Sequence, residues 1–272
     1  MNSGIELDLN YTVLKNKNLQ WDIFANATSV KNKIIELHPD LEGKLVDGSR
    51  IYEEGESMYR MYLVKYAGVD PETGKALYWA KDANGDEIKT DNWSKASESN
   101  KQASQDLLPK VYGGFGTTLY AYGFDLSAQF SYQLGGQIYD SGYQSLMHGA
   151  SSSSMGRNWS VDIRNAWTAE NPNTDVPRLG NDNGNQYANS TSDRFLISSN
   201  YLSINNITVG YTLPSSLTSK AKISKARFYF TADNLALISA RKGLDPRQSF
   251  TTSTTSRYTA IKTLSGGVNL TF

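Results

Sequence analysis

The stretch Gly123-Phe124-Asp125-Leu126-Ser127-Ala128-Gln129-Phe130-Ser131-Tyr132-Gln133-Leu134 decides the fold. Phe124, Leu126, Ala128, Phe130, Tyr132 and Leu134 fall on one parity; Asp125, Ser127, Gln129, Ser131 and Gln133 fall on the other. Successive strand side chains point to opposite faces, so strict period two predicts a strand with one apolar and one polar face. At ~3.3 Å per residue it is long for a soluble strand and suits a tilted membrane span. Immediately upstream, Val111–Ala121 reads as a second strand, rich in glycine and aromatics. The tight Tyr122-Gly123 turn joins the two into a hairpin.

Working outward, Ile5–Leu14 alternates Ile5, Leu7, Leu9, Tyr11 and Val13 with Glu6, Asp8, Asn10 and Thr12. It leads across Lys15–Asn18 to Trp21–Val30. Tyr201–Leu213 stops at Pro214, which cannot continue a central strand. Arg227–Asn234 and Tyr258–Phe272 follow. A hairpin of Met58–Ala67 and Lys75–Ala80 is expected around Asp70-Pro71-Glu72-Thr73-Gly74. Connections at 15–18, 122–123 and 214–225 are short. Those at 31–57, 81–109, 135–200 and 236–256 are long and polar. Such alternation is the mark of a transmembrane barrel whose short turns are periplasmic. All 272 residues are expected in one antiparallel sheet of seven strands, or nine if the 58–80 hairpin takes part. Barrels of single bacterial chains have even counts. The odd count, with a strand at the first residues where an export signal would lie, is expected to reflect strands missing upstream.

Composition sets limits on function. Lys+Arg and Asp+Glu number 27 each, which gives no electrostatic case for a nucleic-acid partner. There is no cysteine, hence no disulfide and no thiolate metal site. No apolar run approaches 18 residues, which excludes a transmembrane helix but not a barrel. The mean hydropathy of −0.50 fits a barrel with polar loops as well as a soluble β protein. The 17 Tyr, 9 Phe and 5 Trp could furnish aromatic girdles.

Several blocks together resemble the late barrel of SusC/RagA-like TonB-dependent transporters. They are Leu108-Pro109-Lys110-Val111-Tyr112-Gly113-Gly114-Phe115 with Gly123-Phe124-Asp125-Leu126-Ser127, then Tyr201-Leu202-Ser203-Ile204-Asn205-Asn206-Ile207-Thr208-Val209-Gly210-Tyr211. Ala232-Asp233-Asn234-Leu235, Lys242-Gly243-Leu244-Asp245-Pro246-Arg247 and Gly266-Gly267-Val268-Asn269-Leu270-Thr271-Phe272 complete the order. The resemblance implies an all-β fold: the C-terminal segment, 1–272, of an antiparallel outer-membrane barrel of about 22 strands. It implies a plug and a TonB-engaging box upstream, both absent here, and import of glycans or, in some branches, peptides. The implied partners are a SusD-like surface lipoprotein, the TonB complex, the barrel-assembly machinery and outer-membrane lipid.

Chemistry-bearing groups are few. His38 and His148 form no metal-ligand pair. Gly113-Gly114-Phe115-Gly116 precedes no helix, so close strand packing explains it better than phosphate binding. No nucleophile elbow occurs, no cofactor is expected, and an enzyme is the third choice. Asp82, Asn84 and Asp86, with Asp91 nearby, form a weak calcium-loop candidate whose plainer reading is an Asn-Gly turn. Glu87 and Trp93 sit where such a loop needs Gly and Glu. Trp159, Trp167, Tyr143 and Tyr187 could stack on sugar faces, or anchor a folded loop. Val268, Leu270 and Phe272 resemble the terminal signal read during barrel assembly. The alternative to a fragment of an importer is a small complete outer-membrane barrel or a soluble β-sheet binding module.

Overall fold

A computed structural model describes residues 1–150, 154, 156–180, 185–248 and 259–272. In chain order the strands are β1 (Asn2–Lys15), β2 (Leu19–Asn32), β3 (Lys44–Asp47), β4 (Arg50–Glu53), β5 (Arg60–Val64), β6 (Tyr66–Val69), β7 (Ala76–Lys81), β8 (Glu87–Thr90) and β9 (Lys101–Ala103). Then come β10 (Val111–Ala121), β11 (Phe124–Leu134), β12 (Gln137–Tyr139), β13 (Leu196–Ser198), β14 (Tyr201–Thr212), β15 (Lys225–Ser239) and β16 (Thr263–Thr271). Short helices α1 (Trp93–Ser99), α2 (Ser141–Leu146) and α3 (Ser215–Thr218) lie in the connections.

Among the described residues, one sheet holds seven long strands in the order β1-β2-β10-β11-β14-β15-β16, every neighbour antiparallel. The sheet is open, with β1 and β16 at its edges. The expectation of a single sheet is corrected by three small ones: β3-β4-β5-β9, β6-β7-β8 and β12-β13. The 58–80 segment joins two of these and not the large sheet. Its first half is two strands, because the chain switches partners at Lys65: β5 pairs with β4 and β9, β6 with β7. Residues 33–110 are thus one folded insertion between β2 and β10. β15 outruns its expected end at Asn234 because two residues there, Asn234 (φ 49) and Leu235, bulge opposite Asn205, after which pairing resumes at Ala236↔Ile204. Ser151–Ser153, Asn181–Gly184 and Tyr258 lie outside the described residues.

The short connections gather at one end. Tyr122 and Gly123 both have positive φ, 50° and 90°, the geometry of a two-residue type I′ turn. Tyr122 N–H donates to Asn18 O at 3.0 Å, and Thr212 N–H to Gly123 O at 2.8 Å, so three turns sit side by side. At the other end the insertion and the described residues of 135–200 form a rim with its own two cores. Leu63 packs with Tyr139, Met147, Ile163, Val176 and Phe195. Its neighbour Val64, pointing the opposite way, packs with Ala76, Tyr78, Ala80 and Ala96. β5 therefore divides the rim and feeds both cores, which is why a polar, Ser- and Asn-rich stretch folds at all.

Candidate functional site

Strand register sorts the sheet into two chemically distinct faces. Directly paired residues share a face, so the pairings define rows across all seven strands. One row reads Leu14, Trp21, Leu119, Leu126, Val209, Phe230 and Gly266. The next on the same face reads Tyr11, Ile23, Thr117, Ala128, Ile207, Ala232 and Leu264. The opposite face carries Thr12, Asp22, Thr118, Ser127, Thr208, Thr231 and Ser265, without one apolar member. Phe124, Leu126, Phe130, Tyr132, Val268 and Leu270 share the apolar face, as the sequence predicts; Asp125, Ser127, Gln129 and Gln133 share the polar one. Gln133, expected to stand in an open lumen, is instead buried beneath the rim, donating from Nε2 to Ser199 O and Oγ at 3.1 and 2.9 Å.

The apolar face is bare. Ile5, Leu7, Phe124, Phe230 and Leu264 are all more than half exposed, although a soluble protein seldom leaves such a contiguous patch open. Rings cluster where the short turns lie: Phe124 and Tyr211 approach to 4.4 Å between centroids, and Tyr211 pairs with Phe228. The 11 residues of β11 extend ~35 Å, and a tilt of ~40° reduces this to about the 25 Å apolar band of an outer-membrane barrel. On the polar face Arg227 Nε donates to Asp125 Oδ1 at 2.8 Å across Gly210, where a Cβ would come within 2.6 Å of both groups.

The loop aromatics are placed separately. The Tyr143 hydroxyl donates to Asp162 Oδ2 at 2.8 Å, and its ring meets Phe195 edge-on and lies 4.3 Å from the Arg241 guanidinium carbon. Burial, reinforced by Asp162, pushes its hydroxyl up to about 12. Tyr187 packs on the second rim core; its carbonyl accepts from the Tyr78 hydroxyl at 2.5 Å. Trp167 covers Gly74 and donates to Pro71 O at 3.0 Å, closing the turn between β6 and β7. Trp159 donates to His148 Nδ1 at 3.1 Å. Among the described residues no ring contact joins two of these four. Asp82, Asn84 and Asp86 form the turn between β7 and β8: Asp82 Oδ1 accepts from Asn84 N at 2.8 Å and Asp86 N at 3.0 Å. Asp91 is taken by Lys75 at 2.7 Å. Among the described residues no group of three acidic, His or Cys side chains could hold a metal ion. Val268 and Leu270 pair with Phe228 and Ala226, while Phe272 stands just past β16, 84% exposed.

Sequence reasoning missed the links that fasten the rim. The Asp140 carboxylate caps α2 through Tyr143 N–H and pairs with Arg241 from the connection after β15. Arg247 grips Asp245 through two nitrogens and donates to Ser203 Oγ at 2.9 Å. Only the acidic and basic residues in 240–247 hint at this, and nothing in the sequence names their partners.

An antiparallel sheet with one continuous lipid-compatible face, one polar face, tight turns at one end and a folded rim at the other is the wall of a transmembrane β-barrel. No family model matches the chain. The chain is similar over its whole length, at 26% identity, to TonB-dependent receptor P3 of Formosa agariphila, covering 28% of that receptor. It is 25% identical over 90% of its length to TonB-dependent receptor SusC of Bacteroides thetaiotaomicron, covering 24% of it. Among solved structures it superposes on the RagAB peptide transporter with a TM-score of 0.79 at 28% identity, over 100% of this chain and 29% of that one. It thus spans less than a third of the relatives it matches. These likenesses fit the C-terminal barrel portion of a SusC/RagA-like TonB-dependent receptor, the resemblance carried by the sequence blocks.

Proposed function

We propose that the chain is the C-terminal part of the barrel of an outer-membrane, TonB-dependent importer that carries oligosaccharides. The observation that bears most weight is the division of seven strands, over most of their length, into a predominantly apolar and a predominantly polar face. A soluble sandwich would bury its apolar faces against each other. Here the face is open and of membrane height. In hydrocarbon every unpaired backbone group costs several kcal/mol, so the outer edges of β1 and β16 call for further strands of the same barrel. The polar face then lines a lumen, the short turns face the periplasm and the rim faces outward. The role is carriage and not catalysis, in keeping with relatives that are receptors and transporters.

In this reading a SusD-like lipoprotein sits on the rim, the TonB complex acts through a plug-bearing upstream region, and Val268, Leu270 and Phe272 serve the assembly machinery. A peptide cargo is the second reading, favoured by the likeness to the RagAB peptide importer. The test is growth of the source bacterium, with and without the gene, on neutral polysaccharides or on protein as sole nutrient. Loss of growth on one polysaccharide, reproduced by disabling TonB, is the expected result. Loss on protein alone replaces glycan with peptide, and unimpaired growth on all overturns import.

A further inference from the structure

The polar face carries a cleft of about 410 Å³ where the large sheet meets the rim, within the size range of small-molecule sites. Its floor is one row of the sheet, Tyr112, Gln133 and Tyr201, paired side by side on β10, β11 and β14. Neighbouring strands lie ~4.8 Å apart, so the two tyrosines stand ~10 Å apart with the amide between them. Tyr59 reaches in from the rim insertion. Gln133 is pinned by Ser199, which fixes the middle of the floor.

The three tyrosines differ from most of those that build the scaffold, although the buried Tyr139 hydroxyl also bonds to no described residue. The hydroxyls of Tyr66, Tyr78, Tyr132 and Tyr143 all donate to backbone or carboxylate oxygens. Those of Tyr59, Tyr112 and Tyr201 bond to no described residue, and Tyr112 is 40% exposed. The charge in the cleft is already spent, because Arg247 is held bidentately by Asp245 at 2.7 and 2.8 Å and by Ser203 at 2.9 Å. Aromatic faces with hydroxyls unbonded, and no uncommitted charge, among the described residues match a ring that is apolar on its C–H face and hydroxylated at its edge. A free peptide terminus or an acidic sugar would find no counter-charge.

We propose that this cleft is a ligand subsite of the lumen wall that takes a neutral pyranose unit of an oligosaccharide, stacked between Tyr112 and Tyr201 and hydrogen-bonded at its rim by the tyrosine hydroxyls. The proposal rests on the import reading and adds a site to it. The test is calorimetric titration of the full-length receptor containing this chain with neutral hexasaccharides of α1,4-glucose, β1,4-glucose, β1,4-mannose and β1,4-xylose, and with penta-alanine. At least one saccharide should bind in the millimolar range or tighter. Tyr112→Ala and Tyr201→Ala should each weaken it tenfold or more, since stacking on an aromatic face is lost, while Tyr112→Phe should lose less than Tyr112→Ala. Tyr120→Ala, on the same face but at the short-turn end, should bind as the parent does, and all variants should keep the heat-modifiable mobility of a folded barrel. Saccharide binding unchanged in both alanine variants would place the ligand elsewhere and leave import standing. Binding of penta-alanine that those variants abolish, or no binding of any probe, would overturn the subsite itself; genetic uptake would still judge the import reading.

Discussion

Arg227 on β15 reaches over the neighbouring strand to Asp125 on β11, passing above Gly210 on β14, so that one ion pair on the polar face ties three strands together. The glycine is required by space. A Cβ at Gly210 would lie 2.5 Å from Arg227 Nη2 and 2.6 Å from Asp125 Oδ1. Gly210→Val should therefore break the pair and splay both side chains, and Asp125→Asn should break the charge while sparing the backbone. We expect Gly210→Val to lower the urea midpoint of the refolded receptor more than Asp125→Asn does. The reverse order would mean that the strand spacing, and not the bridge, tolerates a side chain there.

Phe130 faces away from that lumen wall and stacks on Phe115 at 4.8 Å in the middle of the apolar band. Phe130→Arg should cost ~2–4 kcal/mol of barrel stability, the penalty for a cation on the lipid face near mid-membrane. Gln129→Arg, one residue away but on the polar face, should cost far less. Equal folding free energies for the two variants, measured by urea titration in lipid vesicles, would contradict the face assignment.

How much of this was legible beforehand differs between sheet and rim. The alternation in β11 located the wall, its partners and its faces, because a strand with one side in lipid and one in water must repeat every two residues. β14 shows where the pattern blurs: Leu202 and Ile204 are even, Ile207, Val209 and Tyr211 odd, and the switch is the bulged Asn205. In the rim only the hairpin turned at Asp70–Gly74 was legible, and the rest was opaque because its strands run only 3 to 6 residues and its cores join residues as distant as Leu63 and Phe195. No local period encodes such contacts. Tyr112 and Tyr201 did leave a trace, as large aromatics on the polar phase of their strands, but the sequence does not set them beside Tyr59.

Phe195 is fully buried in the first rim core, against Tyr139 and Tyr143. Phe195→Ala should remove ~3–5 kcal/mol from that core. Because the rim has its own cores, the loss should appear as protease cleavage within 135–200 while the barrel keeps its heat-modifiable mobility. A barrel that fails to assemble would show that rim and wall fold as one unit.

Asp70 holds the turn between β6 and β7. Its carboxylate accepts from the Thr73 hydroxyl at 2.6 Å and from Glu72 N–H at 3.0 Å, and these bonds keep it below the usual carboxylate range. A group whose folded value is depressed stabilises fully above its unfolded value and stops as pH falls through the folded one. Amide exchange at Gly74, whose N–H donates to Asp70 O at 2.8 Å, should thus gain extra openings only below about pH 4. Asp70→Asn should show the same openings at neutral pH; identical protection in the variant would remove the carboxylate from the turn's stability.

Phe272 projects past the last strand without contributing to its pairing, since the ladder with β15 closes at Lys225↔Thr271. Deleting it should leave the folded barrel's stability nearly unchanged yet lower the amount of receptor reaching the outer membrane. Normal levels without it would leave Val268 and Leu270 as ordinary strand residues.

The central claim is that one face of this sheet meets lipid and the other water. Residues 1–272 contain no cysteine, and single cysteines can be placed and spin-labelled one at a time along 124–134 in a full-length receptor, in lipid vesicles, whose remaining part has had any cysteine replaced by serine. Collision with oxygen should peak at Leu126, Ala128, Phe130 and Tyr132, and collision with a water-soluble nickel complex at Ser127, Gln129 and Ser131, the two out of phase with period two. Equal accessibility at both sets, or the opposite phase, would contradict the account.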